Sequence, residues 1–154
     1  MQERIAQQTF YALQPALPKA LINLNGAVKE SGLESSLIHL MKIRASQLNG
    51  CGFCLHMHHA EARADGESQE RLDILPAWRE LPYFTDRERA ALGWTEALTL
   101  IAERPVADEV YAAVVAQFTE SEIANLTATI VEINSWNRVV AAMHFVPKIA
   151  SGIG

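Results

Sequence analysis

The chain has 154 residues, is 49% hydrophobic and 20% charged, and carries a formal net charge of −5. That length fits one domain over residues 1–154, long enough to bury a proper core. The acidic balance argues against nucleic acid as a partner, since phosphate binding needs a basic surface. No apolar run reaches the ~18 residues of a membrane helix, and MQERIAQQTF at the N-terminus lacks the apolar centre of a signal peptide. A cytoplasmic protein is expected. There a lone cysteine pair is more often catalytic or metal-binding than structural.

Taken in order, the elements read as all-α. "LIHLMKIRASQL", from Leu37 to Leu48, is mostly apolar and helix-forming. Asn49-Gly50 can end it, because both residues tolerate a left-handed backbone. A second helix is expected from near Cys51 to about Ala64, broken by Asp65-Gly66. "LPAWRELPYF", Leu75 to Phe84, reads as the longest non-helical piece, and its prolines and aromatics suggest that it packs down. "TDRE" at Thr85 to Glu88 has capping-box spacing and opens a helix through "AALGWTEALTLIAE". Pro105 interrupts, and a shorter helix is expected over Asp108 to Gln117. "TESE", Thr119 to Glu122, is a second capping-box spacing. It opens the long last helix, which runs up to Pro147. No stretch alternates with a period of two between hairpin turns, so little or no sheet is expected.

"NGCGFCLHMHH", residues 49 to 59, holds both cysteines and three of the five histidines. On a helix that begins at Cys51, Cys54 and His58 fall with it inside an arc of ~60°. His58 lies one turn after Cys54, within reach of its thiol. A helix N-terminus favours a thiolate, and an imidazole can take the thiol proton. The i, i+3 pair also suits a disulfide, whose tiny loop adds little stability and makes more sense as a redox element. Other readings stay open. Cys51, Cys54 and a histidine could hold zinc, the fourth ligand coming from His39, His59 or His144. The two thiols could be ordinary buried side chains. Covalent haem needs Cys-x-x-Cys-His, and Leu55 rules that out. His56 and His59 point away from the cysteine face, and His144 reads as a core or interface residue.

"KIRASQLNGCGFCLHMHHAEARADGESQERL", Lys42 to Leu72, resembles the carboxymuconolactone decarboxylase superfamily, and most closely its alkylhydroperoxidase D-like branch. The matching pattern is Cys51-x-x-Cys54-x-x-x-His58 behind "RASQ-x-NG", supported by "LPAWRELPYFTDRERAALGWTEALT" and "EINSWNRVV". The resemblance covers roughly residues 35 to 145. It implies a bundle of about six to eight helices that assembles as a trimer or hexamer. It also implies a peroxidase cycle: the second cysteine attacks a hydroperoxide and the first resolves the sulfenate. The motif histidine and an upstream glutamate move protons. Two positions depart from the pattern. His39 stands where the family glutamate would be, twelve residues before Cys51, and Phe53 replaces a histidine before the second cysteine. His39 could still relay a proton, since imidazole suits neutral pH. It could not hold a permanent negative charge against His58. Glu67 is one candidate for the missing carboxylate, with helix capping as its other explanation.

The resulting expectation is a thiol-dependent peroxidase or disulfide oxidoreductase that uses Cys51, Cys54, His58 and His39. Its partners are a hydroperoxide and an external dithiol, and it needs no cofactor. The rival is a non-enzymatic redox sensor or metal-binding oligomer built on the same cysteines. The helix dipole favours Cys51 as nucleophile, whereas the imidazole pairing and the resemblance favour Cys54.

Overall fold

In the computed structural model, which describes residues 2–149, eight α-helices make up the regular structure, with one 3-10 turn and no strand among the described residues. They are α1 (Gln7–Leu13), α2 (Ala16–Lys29), α3 (Ser35–Leu48), α4 (Gly52–Ala64), α5 (Gln69–Ile74), α6 (Asp86–Thr99), α7 (Asp108–Val115) and α8 (Glu120–Met143). The all-α expectation holds. The helix ends follow from local chemistry. Both predicted capping boxes form: Thr85 and Glu88 at the start of α6, and Thr119 and Glu122 at the start of α8, exchange side-chain and backbone hydrogen bonds. Gly50 (φ 64°) and Gly66 (φ 94°) turn the chain after α3 and α4 in the left-handed conformation that costs glycine nothing. The Leu75 to Phe84 stretch holds the 3-10 turn (Leu75–Ala77) and then further turns, with Leu75, Trp78 and Phe84 buried.

Helix α3 is the centre of the bundle. Leu37 through Ile43, Ala45 and Ser46 are all buried, so it has almost no solvent face, and it packs against α4, α6 and α8. A helix buried nearly all round is an inner one, and its polar members, His39, Lys42 and Ser46, are buried with the rest. Three apolar clusters surround it. One joins α2, α3, α6, α7 and α8 through Val28, Met41, Trp94, Val114 and Leu126. A second joins α3, α4, α6 and the 3-10 turn through Leu40, Ala62, Leu75 and Leu92. The third holds Cys51 and Cys54 with Ala45, Ile133, Val140 and Phe145.

A chain of buried and half-buried polar bonds pins the turn before Cys51 to α8. Asn137 donates to Ser46 Oγ (3.1 Å), Asn49 donates to Asn137 and Asn134 (2.9 and 3.0 Å), and Asn134 donates to Thr99 Oγ1 (3.0 Å). Satisfied buried networks of this kind fix one arrangement, because a half-made one is costly. The "RASQ" and "INSWN" stretches thus meet in space and set where α4 begins.

The N-terminal segment and the chain after α8 close over the cysteine cluster. Arg4 donates its backbone N–H to Met143 O and a guanidinium N–H to Ala142 O, both 3.0 Å, covering carbonyls that the end of α8 leaves free. Phe10 and Tyr11 of α1 meet Phe145 edge to face, and Tyr11 meets Trp136 in the same way.

Candidate active site

Cys51 is the N-cap of α4, and the helix proper starts one residue later than a start at Cys51 would have it. Its backbone N–H goes to Ser46 O (3.0 Å), and its Sγ accepts from Cys54 N–H (3.4 Å). Cys51 and Cys54 are joined as a disulfide, with Cα atoms 5.4 Å apart. Each is 1% exposed.

A cavity of about 290 Å³ opens on the Cys54 side. Phe53, Cys54, Met57, His58 and Glu61 of α4 form one wall, and Glu132, Trp136 and Val140 of α8 form the facing one. Those residues recur at helical spacing, so each wall is one helix face. Gln7 and Tyr11 of α1, and Asn25 and Lys29 of α2, complete it. The space is mostly apolar with a few converging polar groups, the usual make-up of a small-molecule site.

His58, 5% exposed, shares this cavity with Cys54. Its Nδ1 lies 2.9 Å from Glu61 Oε2. That hydrogen bond holds the Glu61 carboxyl below the usual carboxylate range, against a smaller upward push from burial. Glu61 is therefore the carboxylate that orients the motif histidine. Sequence reasoning missed it, although His58-x-x-Glu61 has the i, i+3 spacing that brings helical side chains together. Glu67 does not fill that role. Its Oε1 accepts from Ser68 N–H (2.9 Å) and Arg71 Nε (3.0 Å) at the start of α5, so the capping explanation stands.

His39 lies on α3 beside a second cavity, of about 350 Å³, which also touches Glu61. Its Nε2 is 2.7 Å from Asp65 Oδ2 and 3.3 Å from Ser35 Oγ, and Ser35 Oγ donates to Asp65 Oδ2 at 2.6 Å. Ser35, then His39, pull the Asp65 carboxyl below its ordinary value. His39 Nδ1 is buried with no hydrogen-bond partner among the described residues. No hydrogen bond joins His39 to His58 among the described residues; Glu61 stands between the two cavities. The remaining histidines lie apart. His59 Nδ1 bonds Leu55 O (2.8 Å), His56 is exposed, and His144 caps α8 in a left-handed conformation (φ 56°). No group of three or more histidine, cysteine or carboxylate side chains among the described residues could hold a metal ion.

Behind Asn25 and Glu132, which line the first cavity, Lys42 Nζ lies 2.9 Å from Glu132 Oε2, both side chains nearly fully buried, and donates to Asn25 Oδ1 at 2.7 Å. The lysine–glutamate contact lacks hydrogen-bond alignment, so it is chiefly a charge–charge contact.

The family model for the carboxymuconolactone decarboxylase family matches residues 3–97, which takes in α1 and α2 as well as the cysteine motif. The uncharacterized protein YdfG of Bacillus subtilis (strain 168) is 37% identical over 143 residues, covering 93% of this chain and 95% of that one. A crystal structure from Agrobacterium tumefaciens superposes with a TM-score of 0.90 at 39% identity, over 97% of this chain and 100% of that one; it is described as a protein of unknown function and candidate antioxidant defence protein AhpD. The debrominase Bmp8 shares the fold alone, with a TM-score of 0.79 at 19% identity over 89% of this chain and 74% of its own. The chain belongs to the carboxymuconolactone decarboxylase family, in its alkylhydroperoxidase D-like branch.

Proposed function

We propose that the protein is a dithiol peroxidase or disulfide oxidoreductase in which Cys54 is the nucleophile. The observation that carries this is the shared cavity: Cys54 and His58 face one space large enough for a small organic molecule, and Glu61 holds His58 by its Nδ1. His58 takes the Cys54 proton. The thiolate attacks the distal oxygen of a hydroperoxide, forming an S–O bond as the O–O bond breaks, and the leaving alkoxide takes the proton back from His58. The resulting sulfenic acid is attacked by the Cys51 sulfur. A disulfide forms and water leaves. Two electrons have passed to the peroxide, and an external dithiol returns them by exchange.

In this reading Glu61 does the work of the glutamate that His39 replaces. His39 acts as a positioning residue from the second cavity, which Glu61 also lines. The cycle needs a reducing compartment such as the cytoplasm. Exposed Ile22, Tyr111, Val115 and Val131 offer apolar surface for a trimer or hexamer.

The deciding experiment follows hydroperoxide loss with a supplied dithiol, alongside sulfenic-acid trapping. Cys51→Ser should give a trappable sulfenic acid at residue 54, and Cys54→Ser should give none. The opposite pattern would move the attack to Cys51. A protein that consumes no peroxide but cycles between dithiol and disulfide would be the non-enzymatic sensor instead.

A further inference from the structure

The disulfide has two sides. Cys54 lines the cavity described above and Cys51 does not. Cys51 lines a separate groove of about 490 Å³, on the side of the chain that follows α8. Phe53 and Val140 line both spaces and form the partition between them. The groove is built because His144 leaves α8 with positive φ (56°) and folds the next residues back beside Gly50 to Phe53. Its surface is mostly apolar: Ala141, Phe145, Val146, Pro147 and Ile149.

Thiol–disulfide exchange proceeds in line. The incoming thiolate, the attacked sulfur and the leaving sulfur are collinear, so the nucleophile approaches from the side opposite the leaving sulfur. Of the two cysteines only Cys51 lines the groove, so an attacker there meets Cys51 first, and the sulfur it displaces is that of Cys54.

We propose that the external reductant enters by this groove and attacks Cys51 Sγ; the inference rests on the dithiol reading above. A bond forms between the reductant sulfur and Cys51 Sγ as the 51–54 bond breaks. The electron pair leaves on Cys54 Sγ, in the cavity that holds His58, so the peroxide-attacking thiolate is regenerated in the first step. The reductant's second thiolate then attacks its own bound sulfur, closes the reductant's disulfide and frees Cys51. Peroxide and reductant use separate entrances and do not compete for space. Cys51 is only 1% exposed, so the attacking thiol must reach inward along apolar walls.

The test begins with oxidised protein, prepared with peroxide or, independently of peroxidase activity, with diamide. A limiting amount of 2-mercaptoethanol is added and the freed thiol is trapped with N-ethylmaleimide. Fragment ions that separate residues 51 and 54 then place the two labels. The mixed disulfide is expected on Cys51 and the maleimide on Cys54; the reverse would overturn the proposal. Ala141 is exposed, lines the groove and lies outside the Cys54 cavity. Ala141→Trp should slow reduction by dithiothreitol at least tenfold and leave peroxide oxidation of the reduced protein unchanged, with Ala141→Ser close to wild type. Reduction of folded Ala141→Trp at the wild-type rate would refute the groove. Failure of peroxide to oxidise Cys54 would count against the peroxidase reading alone, since the diamide arm still locates the attacked sulfur.

Discussion

Lys42 and Glu132 form a buried ion pair at the wall of the Cys54 cavity, and removing one partner tests how the cavity is held. Lys42→Met leaves the Glu132 carboxylate, at 2% exposure, without its counter-charge. Breaking a buried pair on one side costs about 3–5 kcal/mol, mostly from the stranded charge. Glu132 faces a cavity that can admit water, so part of that charge is resolvated and the lower end, about 3 kcal/mol, is the better figure. For a chain of this size each kcal/mol moves Tm by roughly 2–4 °C, which gives a drop of roughly 6–12 °C. Glu132→Leu should cost a similar amount, because it strands Lys42. The double variant Lys42→Met/Glu132→Leu strands nothing and should recover to within about 1–2 kcal/mol of wild type, since well-packed apolar replacements of buried pairs are often neutral or better. Urea unfolding followed by circular dichroism, run as a double-mutant cycle, measures all four states. Single variants within about 1 kcal/mol of wild type, or additive losses in the double, would show that the pair is solvated and the argument from burial wrong.

The His58–Glu61 contact predicts that His58→Ala slows peroxide oxidation of the dithiol by roughly 10²–10⁴, as loss of an acid–base group does. Glu61→Gln should slow it only about tenfold, in single-turnover stopped-flow traces, because a charge-assisted hydrogen bond to a partly exposed carboxylate is worth about 1–1.5 kcal/mol. Arg87 bridges Glu34 (2.8 Å) and Glu122 (2.5 Å), joining the start of α6 to the starts of α3 and α8. The Thr119 backbone N–H and then Arg87 pull Glu122 down to about 2 from 4.5, and Arg87 lowers Glu34 as well. Both folded values lie below the unfolded ones, so this stability is present above about pH 4.5 and lost as pH falls towards about 2. Arg87→Ala should flatten the dependence of the urea midpoint on pH across that window. Light scattering at micromolar concentration should report a species larger than a dimer; a species near 17.0 kDa would contradict the assembly.

The helices with strong local signals were legible in the sequence. Thr85 and Thr119 announce α6 and α8 through their capping boxes, and Asn49-Gly50 and Asp65-Gly66 end α3 and α4 where glycine is needed. No such signals mark α1 and α2. Pro15, Pro18 and Gly26 weaken the helical pattern, and α1 buries no residue fully; its aromatic rings are held by partners more than a hundred positions away. At the site, the Cys51–Cys54–His58 face was readable because it is a property of one helix. Glu61 was equally local but was passed over for the position twelve residues before Cys51, which the resemblance pointed to. Glu132 and the two entrances were beyond reach, since they depend on how α8 and the chain after it lie against α4.

The cysteines belong to the third apolar cluster, apart from the two that carry most of the bundle. That cluster also draws on α1 and the described residues that follow α8, tied together by Arg4 and the aromatic contacts. The expectation is that it opens as one cooperative subunit, ahead of the other two clusters. Oxidation and reduction should then register in hydrogen exchange as changed protection near residues 4–14, 51–58 and 140–146, with α6 and the middle of α3 unaffected. On the proposed cycle, the slowest-exchanging amides, those of the other two clusters, should keep the same protection in both redox states.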